Sequence, residues 1–312
     1  MEDLFHGTVL THPIRKDGKR KVTYRVSDNT YGIADLQTKM LEILEELIRV
    51  CEENNLTYFA CGGTCIGALR HNGFIPWDDD LDVFMPRSDY EKLWSLRHKF
   101  QNGKYKLCRT DAKKNYHHRV QQLVDLNTTF INKRSVNEDI EHGVYIDILP
   151  LDACAPTKAG RIKQIFQALL FSVYNVQCLP EFHGGSLFRT AISIALKAVP
   201  SKDIRYKIWT CCEKNMTKYD WSKETMVVEL TASTKVMRHP YPKEWFDGII
   251  KHKFEDIEIN LPSGVDQYLK QVFGDYMTLP PVSERHPRHN TVLIDLNNCY
   301  EIYKGRCYCN DK

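Results

Sequence analysis

The sequence contains neither a long apolar run nor a secretory leader pattern. Its nearest approach to a membrane span is residues 191–199, far short of the roughly 18 apolar residues that a spanning helix needs. The first residues lack the basic and apolar regions of a secretory signal. We therefore expect a cytoplasmic protein without a transmembrane segment, which contacts the inner face of the membrane only as a peripheral protein, if at all.

A strong charge of either sign is also missing. The 312 residues include 43 Lys and Arg against 40 Asp and Glu, a net charge of +3. Because nucleic-acid-binding domains usually have a clear basic excess, this balance argues against nucleic acid as the main partner. The apolar share of 42% and the charged share of 27% are typical of a globular protein. These values exclude a disordered, collagen-like or coiled-coil chain.

Cysteine is abundant, but its arrangement does not indicate a disulfide framework or a clear metal site. The count of 11 is odd, so the cysteines cannot all pair within one chain. Cys299, Cys307 and Cys309 lie close together near the C-terminus and leave a zinc site open as an alternative. Reduced thiols of a cytosolic protein are the favoured interpretation.

Apolar periodicity predicts an α/β (α+β) fold with helices concentrated after Pro156. The predicted helices cover residues 33–53, 64–70, 88–100, 157–178, 186–199, 203–219 and 265–273. The predicted strands cover residues 56–60, 81–85, 105–108, 120–126, 128–131, 144–149, 227–230 and 254–259. Residues 88–91 form a predicted capping box, and Thr64 is a predicted helix cap.

The chain divides into four predicted regions. Residues 1–29 form a basic N-terminal extension, with a hairpin turn at Asp17 and Gly18. Residues 30–155 carry the α/β pattern, and residues 156–295 form a mostly helical part. The Cys-rich residues 296–312 are the tail.

Carboxylates are concentrated at residues 78–82. On a strand, Asp80 and Asp82 would share one face about 7 Å apart, where they could hold a hard cation such as Mg²⁺. An acidic turn facing solvent is the alternative. Asp147 favours the metal site, because it interrupts a strand apolar enough to be buried, and an unpaired buried carboxylate is costly. A buried arginine partner for Asp147 remains the other alternative.

A glycine turn precedes the acidic segment. Gly62, Gly63 and Thr64 stand between a predicted strand and a predicted helix. Such a turn exposes backbone N–H groups at a helix N-terminus and can hold a phosphate group. An ordinary turn is the alternative, but the neighbouring carboxylates favour a combined phosphate and metal site.

These segments carry a resemblance to the LicD family, which covers residues 30–295 and excludes the N-terminal extension and the tail. The matching motifs are Gly63-Thr64-x-x-Gly67-Ala68-x-Arg70, Gly73-Phe74-Ile75-Pro76-Trp77-Asp78-Asp79-Asp80-x-Asp82, Met85-Pro86-Arg87, Gly143-x-Tyr145-Ile146-Asp147-Ile148-x-Pro150-Leu151-Asp152 and Phe273-Gly274-Asp275-Tyr276-Met277-x-Leu279-Pro280-Pro281, followed by Arg285 and His289. The chain departs from the family pattern at Asn290, where a second histidine is frequent, and at Cys61 and Cys65, which flank the glycine turn.

The resemblance implies a nucleotidyltransferase-like mixed sheet with flanking helices, and residues 30–155 as its catalytic core. The family transfers phosphocholine, or a related phospho-alcohol, from a CDP-linked donor to a sugar hydroxyl of a cell-surface glycan, such as teichoic acid, lipopolysaccharide or a capsule precursor, and releases CMP. The fukutin-related proteins are similar to it. By this resemblance Asp80, Asp82 and Asp147 are the catalytic carboxylates that hold Mg²⁺, with Mn²⁺ as the alternative ion.

Further candidates surround this centre. By the resemblance the donor phosphates would contact Gly62, Gly63, Thr64, Arg70, Arg285 and His289. The alternative for the arginines is a structural salt bridge. Aromatic rings suit a quaternary ammonium head group, and the candidates are Trp77, Tyr145 and Tyr276, for which a place in the core is the alternative. Arg119 and Gln122 lie on the intervening strand and could also face the cleft.

Other functions stay open at this point. A nucleotidyltransferase would release pyrophosphate instead of CMP, and the donor alcohol could be ribitol or glycerol instead of choline. A sugar transferase and a non-catalytic binding protein are less favoured, because the glycine turn and all the carboxylates are present. The apolar helices at 163–178 and 186–199 belong to the core or bind a lipid-linked acceptor.

Overall fold

The computed structural model describes residues 31–100, 103–177, 186–288 and 291–310. The predicted N-terminal hairpin lies outside them. In the described part the chain forms eight α-helices, α1 Ala34–Glu53, α2 Gly62–His71, α3 Arg87–Ser95, α4 Lys158–Val176, α5 Ser186–Ala198, α6 Lys202–Met216, α7 Thr234–Met237 and α8 Val265–Phe273. It also forms eleven strands, β1 Phe59–Ala60, β2 Asp82–Pro86, β3 Tyr105–Cys108, β4 Gln121–Asp125, β5 Thr129–Asn132, β6 Val144–Ala153, β7 Met226–Val228, β8 Tyr241–Pro242, β9 Ile249–Phe254, β10 Ile257–Pro262 and β11 Thr291–Asp295.

The central sheet is mixed. Its strands lie in the order β1-β2-β6-β4-β3, with β2 and β6 parallel and the other neighbours antiparallel. The far end of β6 pairs with β7, and β7 pairs with β8. Two further antiparallel pairs, β9 with β10 and β5 with β11, lie outside this sheet. The mixed sheet with flanking helices confirms the predicted α/β (α+β) class.

Helix α1 covers one side of the sheet. Its buried residues recur with helical periodicity and include Leu36, Met40, Leu44 and Leu47. The helix ends where predicted, because Asn55 adopts a left-handed conformation with φ of 52°. This helix packs against β6 and β4, the strands that carry polar residues of the candidate site.

Helices α4 and α6 pack together around a second apolar core. Thr157 and Ser201 cap them by accepting bonds from the N–H groups of Gly160 and Ile204. Phe171, Trp209 and other buried side chains fill the space between the helices. Both predicted helices are confirmed, and their ends lie within three residues of those expected.

No helix in the described ranges combines the length and the apolar character that membrane crossing requires.

A charged network joins the helical part to the central sheet. Arg87 donates from Nε and Nη2 to both carboxylate oxygens of Asp152, at 2.7 and 2.9 Å. Its Nη1 contacts Glu213 of α6 at 3.5 Å, and Arg109 reaches the same glutamate at 2.8 Å. The two guanidinium groups lie 5.0 and 5.3 Å from the ring centroid of Tyr90. Arg87 and Asp152, both in the quoted motifs, therefore connect α3, β6 and α6.

Two local predictions were wrong at helix starts. The expected capping box is not formed: α3 begins after Pro86, the Asp89 carboxylate accepts the N–H of Thr57, and Glu91 binds Arg109. Tertiary partners thus replace the local capping bonds. Thr64 is not a cap either, because α2 begins two residues earlier with Gly62.

The predicted strand at 254–259 is a hairpin of two strands. β9 ends at Phe254, a turn follows, and β10 begins at Ile257. Glu255 in this turn accepts the N–H of Phe74 at 3.0 Å. A Cβ on Gly73 would lie 2.0 Å from the Glu255 carboxylate, so the glycine permits this close approach. The hairpin therefore holds the loop between α2 and the acidic segment.

Candidate active site

Asp82 and Asp147 are direct neighbours on parallel strands. Their Cα positions pair in the register of β2 and β6, and the N–H of Asp147 donates to the Leu81 carbonyl at 3.0 Å. Paired residues of adjacent strands point to the same face of a sheet. The alternation along β6 puts Tyr145 on this face as well. The two predicted carboxylates from separate segments are thus brought together by the sheet.

The neighbourhood of Asp82 is strongly acidic. Burial raises the pKa of Asp82 well above its ordinary value, and the charges of Asp80, Asp147, Asp78 and Glu229 raise it further. A divalent cation would offset both the desolvation and the repulsion between these carboxylates. The chemistry of the acidic groups therefore fits a hard cation.

Asp80 lies two residues before the start of β2, so the strand does not impose the alternation that would align Asp80 with Asp82. It lines a cleft together with Asp147 and Tyr145. Asp79 also lines this cleft, is buried, and accepts the N–H of Arg288 at 3.2 Å. The C-terminal motif segment therefore closes over the acidic segment.

The glycine turn forms the start of α2 beside Asp82. Gly62 has a φ of +51°, which favours glycine, and its N–H donates to the Tyr268 hydroxyl at 3.1 Å. The Thr64 hydroxyl accepts the N–H of Asp82 at 3.0 Å. A Cβ on Gly63 would lie 2.4 Å from the Asp78 carboxylate. The first turn of α2 thus lies directly against the acidic segment, where its N-terminal dipole favours anions.

No three Cys, His, Asp or Glu side chains in the described ranges form a group that could hold a metal ion. The tail cysteines Cys299 and Cys307 are free thiols there, and the zinc alternative gains no support. For Mg²⁺ a complete protein cage is not required, because this ion is usually bound by one or two carboxylates together with substrate phosphates. Asp82 and Asp147 are two neighbouring carboxylates of this kind, and the roles of Asp80, Asp82 and Asp147 in holding an ion all remain predictions.

The two predicted donor-binding arginines hold the C-terminal motif segment. Arg70 donates from Nη1 to the Tyr276 carbonyl at 2.8 Å and contacts the Thr278 carbonyl at 3.4 Å. Arg285 donates from Nε to the Pro280 carbonyl at 2.9 Å. Burial lowers the pKa of Arg70, and the nearby charge of Arg285 lowers it further. His289 lies outside the described residues, and all three donor contacts remain predictions.

The three predicted head-group aromatics have different surroundings. Trp77 packs near Tyr31, with ring centroids 5.7 Å apart, and the Arg285 guanidinium lies 5.5 Å from its ring. This geometry shows that the Trp77 ring accepts a cation at its face. Tyr145 lines the acidic cleft. Tyr276 instead donates its hydroxyl to Asp266 at 3.0 Å and is largely buried.

Gln122 was expected only as a residue that could face the cleft, and Glu229 was not predicted at all. Gln122 pairs with Asp147 across β4 and β6, and its Nε2 donates to Asp147 Oδ1 at 2.8 Å. The alternation of β4 was the only sequence signal for it. Glu229 is buried and accepts a hydrogen bond from the Tyr241 hydroxyl. Burial raises the pKa of Glu229 to about 7. A lone glutamate after a short strand gives no comparable signal in sequence.

Comparison with known proteins agrees with this geometry. Residues 55–159 match the family model of the LicD/FKTN/FKRP nucleotidyltransferase domain. The chain is 26% identical over 268 residues to the lipopolysaccharide cholinephosphotransferase LicD of Haemophilus influenzae, a match that covers 82% of this chain and 96% of that protein. An uncharacterised protein of Rickettsia typhi is 28% identical over 108 residues, a third of each chain.

The domain match includes the glycine turn, both acidic segments and the strands that align Asp82 with Asp147. The longer match extends the similarity across most of the helical part. The chain is therefore similar to the LicD family, and its residues 55–159 match the nucleotidyltransferase domain of that family.

Proposed function

We propose that this protein is a phosphotransferase that moves phosphocholine, or a related phospho-alcohol, from a CDP-linked donor to a sugar hydroxyl of a cell-surface glycan. The observation that carries the proposal is the register of Asp82 with Asp147 beside the N-terminus of α2. The similarity to a lipopolysaccharide cholinephosphotransferase favours choline as the alcohol and a lipopolysaccharide as the acceptor.

The reaction exchanges one phosphoester partner for another. The acceptor oxygen forms a bond to the phosphorus next to the choline, while the bond from that phosphorus to the bridging oxygen breaks. CMP leaves with the electron pair, and the hydroxyl proton passes to water. A bound Mg²⁺ would supply charge neutralisation for the diphosphate. Asp82 and Asp147 would hold this ion, with Asp80 as a third carboxylate.

The protein contributes mainly orientation. The bond from the Asp82 N–H to the Thr64 hydroxyl fixes the glycine turn relative to the carboxylates, and the bond from Gln122 fixes Oδ1 of Asp147. Fixed geometry of this kind lowers the barrier, because phosphoryl transfer depends largely on positioning and electrostatics. A carboxylate that binds a cation is a weak base, so Asp147 is assigned to ion binding and not to proton removal.

The test is a product assay with the purified full chain. The protein is incubated with Mg²⁺, CDP-choline labelled in the phosphocholine group, and lipopolysaccharide that lacks phosphocholine. We expect CMP and labelled lipopolysaccharide in equal amounts, and no product in the presence of EDTA. Pyrophosphate as the small product would replace this proposal with nucleotidyl transfer. Parallel reactions with CDP-ribitol and CDP-glycerol identify the alcohol.

A further inference from the structure

Tyr268 of α8 connects the C-terminal half of the chain to the glycine turn. Its hydroxyl accepts the N–H of Gly62 at 3.1 Å, and 206 residues separate the two partners in sequence. Tyr268 lies beyond residues 55–159, which match the nucleotidyltransferase domain. The candidate active site therefore receives a contact from outside that domain.

The Tyr268 ring is fixed by aromatic neighbours. Tyr268 is almost fully buried, and its ring centroid lies 5.8 Å from that of Phe84. The rings of Tyr241 and Phe246 lie 5.3 and 5.9 Å from it. All three pairs have the edge-on geometry that aromatic rings prefer. Because Phe84 belongs to β2, the strand that begins with Asp82, this packing fixes the hydroxyl relative to a predicted ion ligand.

Gly62 is the residue of the turn that this hydroxyl binds. It is the first residue of α2, and its φ of +51° lies in the left-handed region that favours glycine. A Cβ on Gly62 would lie 3.8 Å from Oδ2 of Asp82. The bond from Gly62 to Tyr268 therefore fixes the start of the helix close to the Asp82 carboxylate.

The same bond determines which N–H groups of the turn are open to a ligand. The first N–H groups of a helix have no acceptor within the helix, and in α2 the backbone bonds begin with the N–H of Cys65. The Gly62 N–H is bound to Tyr268. No backbone carbonyl of the described residues accepts the N–H of Gly63 or Thr64. An anion at this helix start would therefore bind those two groups.

We propose that Tyr268 is a positioning residue for the transfer reaction: its hydroxyl holds the Gly62 N–H and thereby orients the N–H groups of Gly63 and Thr64 for a donor phosphate. Tyr268 itself does not touch the substrate. The inference deepens the proposed function and rests on it for the nature of the phosphate. It removes the Gly62 N–H from the predicted donor contacts, because this group already has an acceptor. A role in packing alone would require the ring but not the hydroxyl.

The test removes the hydroxyl and keeps the ring, in Tyr268→Phe of the full chain. Tyr58→Phe is the matched control, because Tyr58 is also buried and its hydroxyl has no hydrogen-bond partner among the described residues. Calorimetry in Mg²⁺ gives the Kd of inorganic pyrophosphate, and the CMP assay gives kcat. We expect Tyr268→Phe to bind pyrophosphate about three- to tenfold more weakly and to lose about tenfold in kcat. Mn²⁺ alone should bind as in the wild type, because the strand register still aligns Asp82 with Asp147.

Nuclear magnetic resonance tests the hydrogen bond itself. Cys61 and Gly62 form the only Cys-Gly pair in the sequence, so ¹³C-carbonyl cysteine combined with ¹⁵N-glycine identifies the Gly62 amide. We expect this amide to exchange slowly with solvent in the wild type and in Tyr58→Phe, and faster in Tyr268→Phe. In the wild type its protection should persist when Mg²⁺ and pyrophosphate are added. This last measurement needs no variant, so it tests the proposal even if circular dichroism shows that Tyr268→Phe does not fold.

The proposal is overturned if Tyr268→Phe matches Tyr58→Phe in pyrophosphate Kd and in kcat. It is also overturned if the Gly62 amide of the wild type loses its protection when pyrophosphate binds, because the phosphate would then replace the tyrosine. Failure of the proposed function gives a different result. In that case the wild type releases no CMP from CDP-choline, yet its affinity for pyrophosphate still depends on the Tyr268 hydroxyl.

Discussion

The Thr64 hydroxyl accepts the backbone N–H of Asp82 at a distance of 3.0 Å. This bond joins the first turn of α2 to the first residue of β2, and Thr64 is almost fully buried. The predicted phosphate-binding turn and the predicted acidic strand are thus one rigid unit, although 18 residues separate the two partners in sequence.

Removal of the Thr64 hydroxyl is expected to loosen this unit. Thr64→Val keeps the volume but leaves the Asp82 N–H without its acceptor, at a cost of about 1–3 kcal/mol in unfolding free energy. We expect kcat to fall at least tenfold, with a smaller change in Thr64→Ser, which retains the hydroxyl. Urea unfolding and the CMP assay measure the two effects. Equal activity of the Val and Ser variants would contradict the positioning role.

Arg87 is expected to act on stability and not on chemistry. Asp152 is fully buried and receives two bonds from Arg87. Arg87→Ala leaves this carboxylate unpaired and should lower the unfolding free energy by about 3–5 kcal/mol. Urea denaturation checks the value, with Arg97→Ala as the exposed control. A loss below about 1 kcal/mol would show that the pair contributes little.

Glu229 is expected to make stability depend on pH. Burial raises its pKa from 4.5 to about 7, so the folded protein binds a proton that the unfolded chain releases. This contribution to stability is complete below pH 4.5 and is lost as the pH rises to about 7.

Glu229→Gln removes that dependence. The difference in unfolding free energy between the variant and the wild type should therefore shift by about 3 kcal/mol in favour of the variant between pH 4.5 and 7. Urea unfolding across this range, without divalent ions, measures the difference. Parallel stability curves for the two proteins would show that folding does not raise the pKa of this carboxyl.

Gln122 is expected to orient Asp147. Gln122→Met has a similar length but donates no hydrogen bond to Oδ1. We expect kcat to fall about tenfold or more, and Mn²⁺ to bind more weakly, while the KM for donor changes little. Gln121→Met is the control. Gln121 precedes Gln122 on β4, and its side chain donates to the Tyr90 carbonyl instead of to Asp147. If Gln121→Met loses activity and Gln122→Met does not, the packing of the sheet and not the orientation of Asp147 controls the activity.

Local patterns in the sequence predicted most of the framework. The apolar spacing of α1 and the alternation around Asp147 gave the correct elements, because burial of one face dominates both. Local patterns could not predict the register of β2 with β6. It depends on the parallel pairing of strands far apart in sequence, and only the hypothesis of a shared ion brought Asp82 and Asp147 together.

The errors arose where tertiary partners replaced local ones. Asp89 and Glu91 follow the capping pattern, yet Thr57 and Arg109 bind them instead. The donor-phosphate contact of Arg70 remains a prediction, but the sequence did not indicate that Arg70 also binds carbonyls of a segment about 200 residues away, including that of Tyr276. A motif indicates that a residue matters, but the assembled fold determines which atoms it contacts.

The central claim is that Asp82 and Asp147 bind one divalent ion together. Electron paramagnetic resonance of Mn²⁺ with CDP-choline, without acceptor, counts the ions bound per chain. We predict one bound ion in the wild type and in the exposed control Asp256→Asn, and loss of binding by at least tenfold in both Asp82→Asn and Asp147→Asn, with each variant folded. Wild-type Mn²⁺ affinity in either of these two variants would contradict the account.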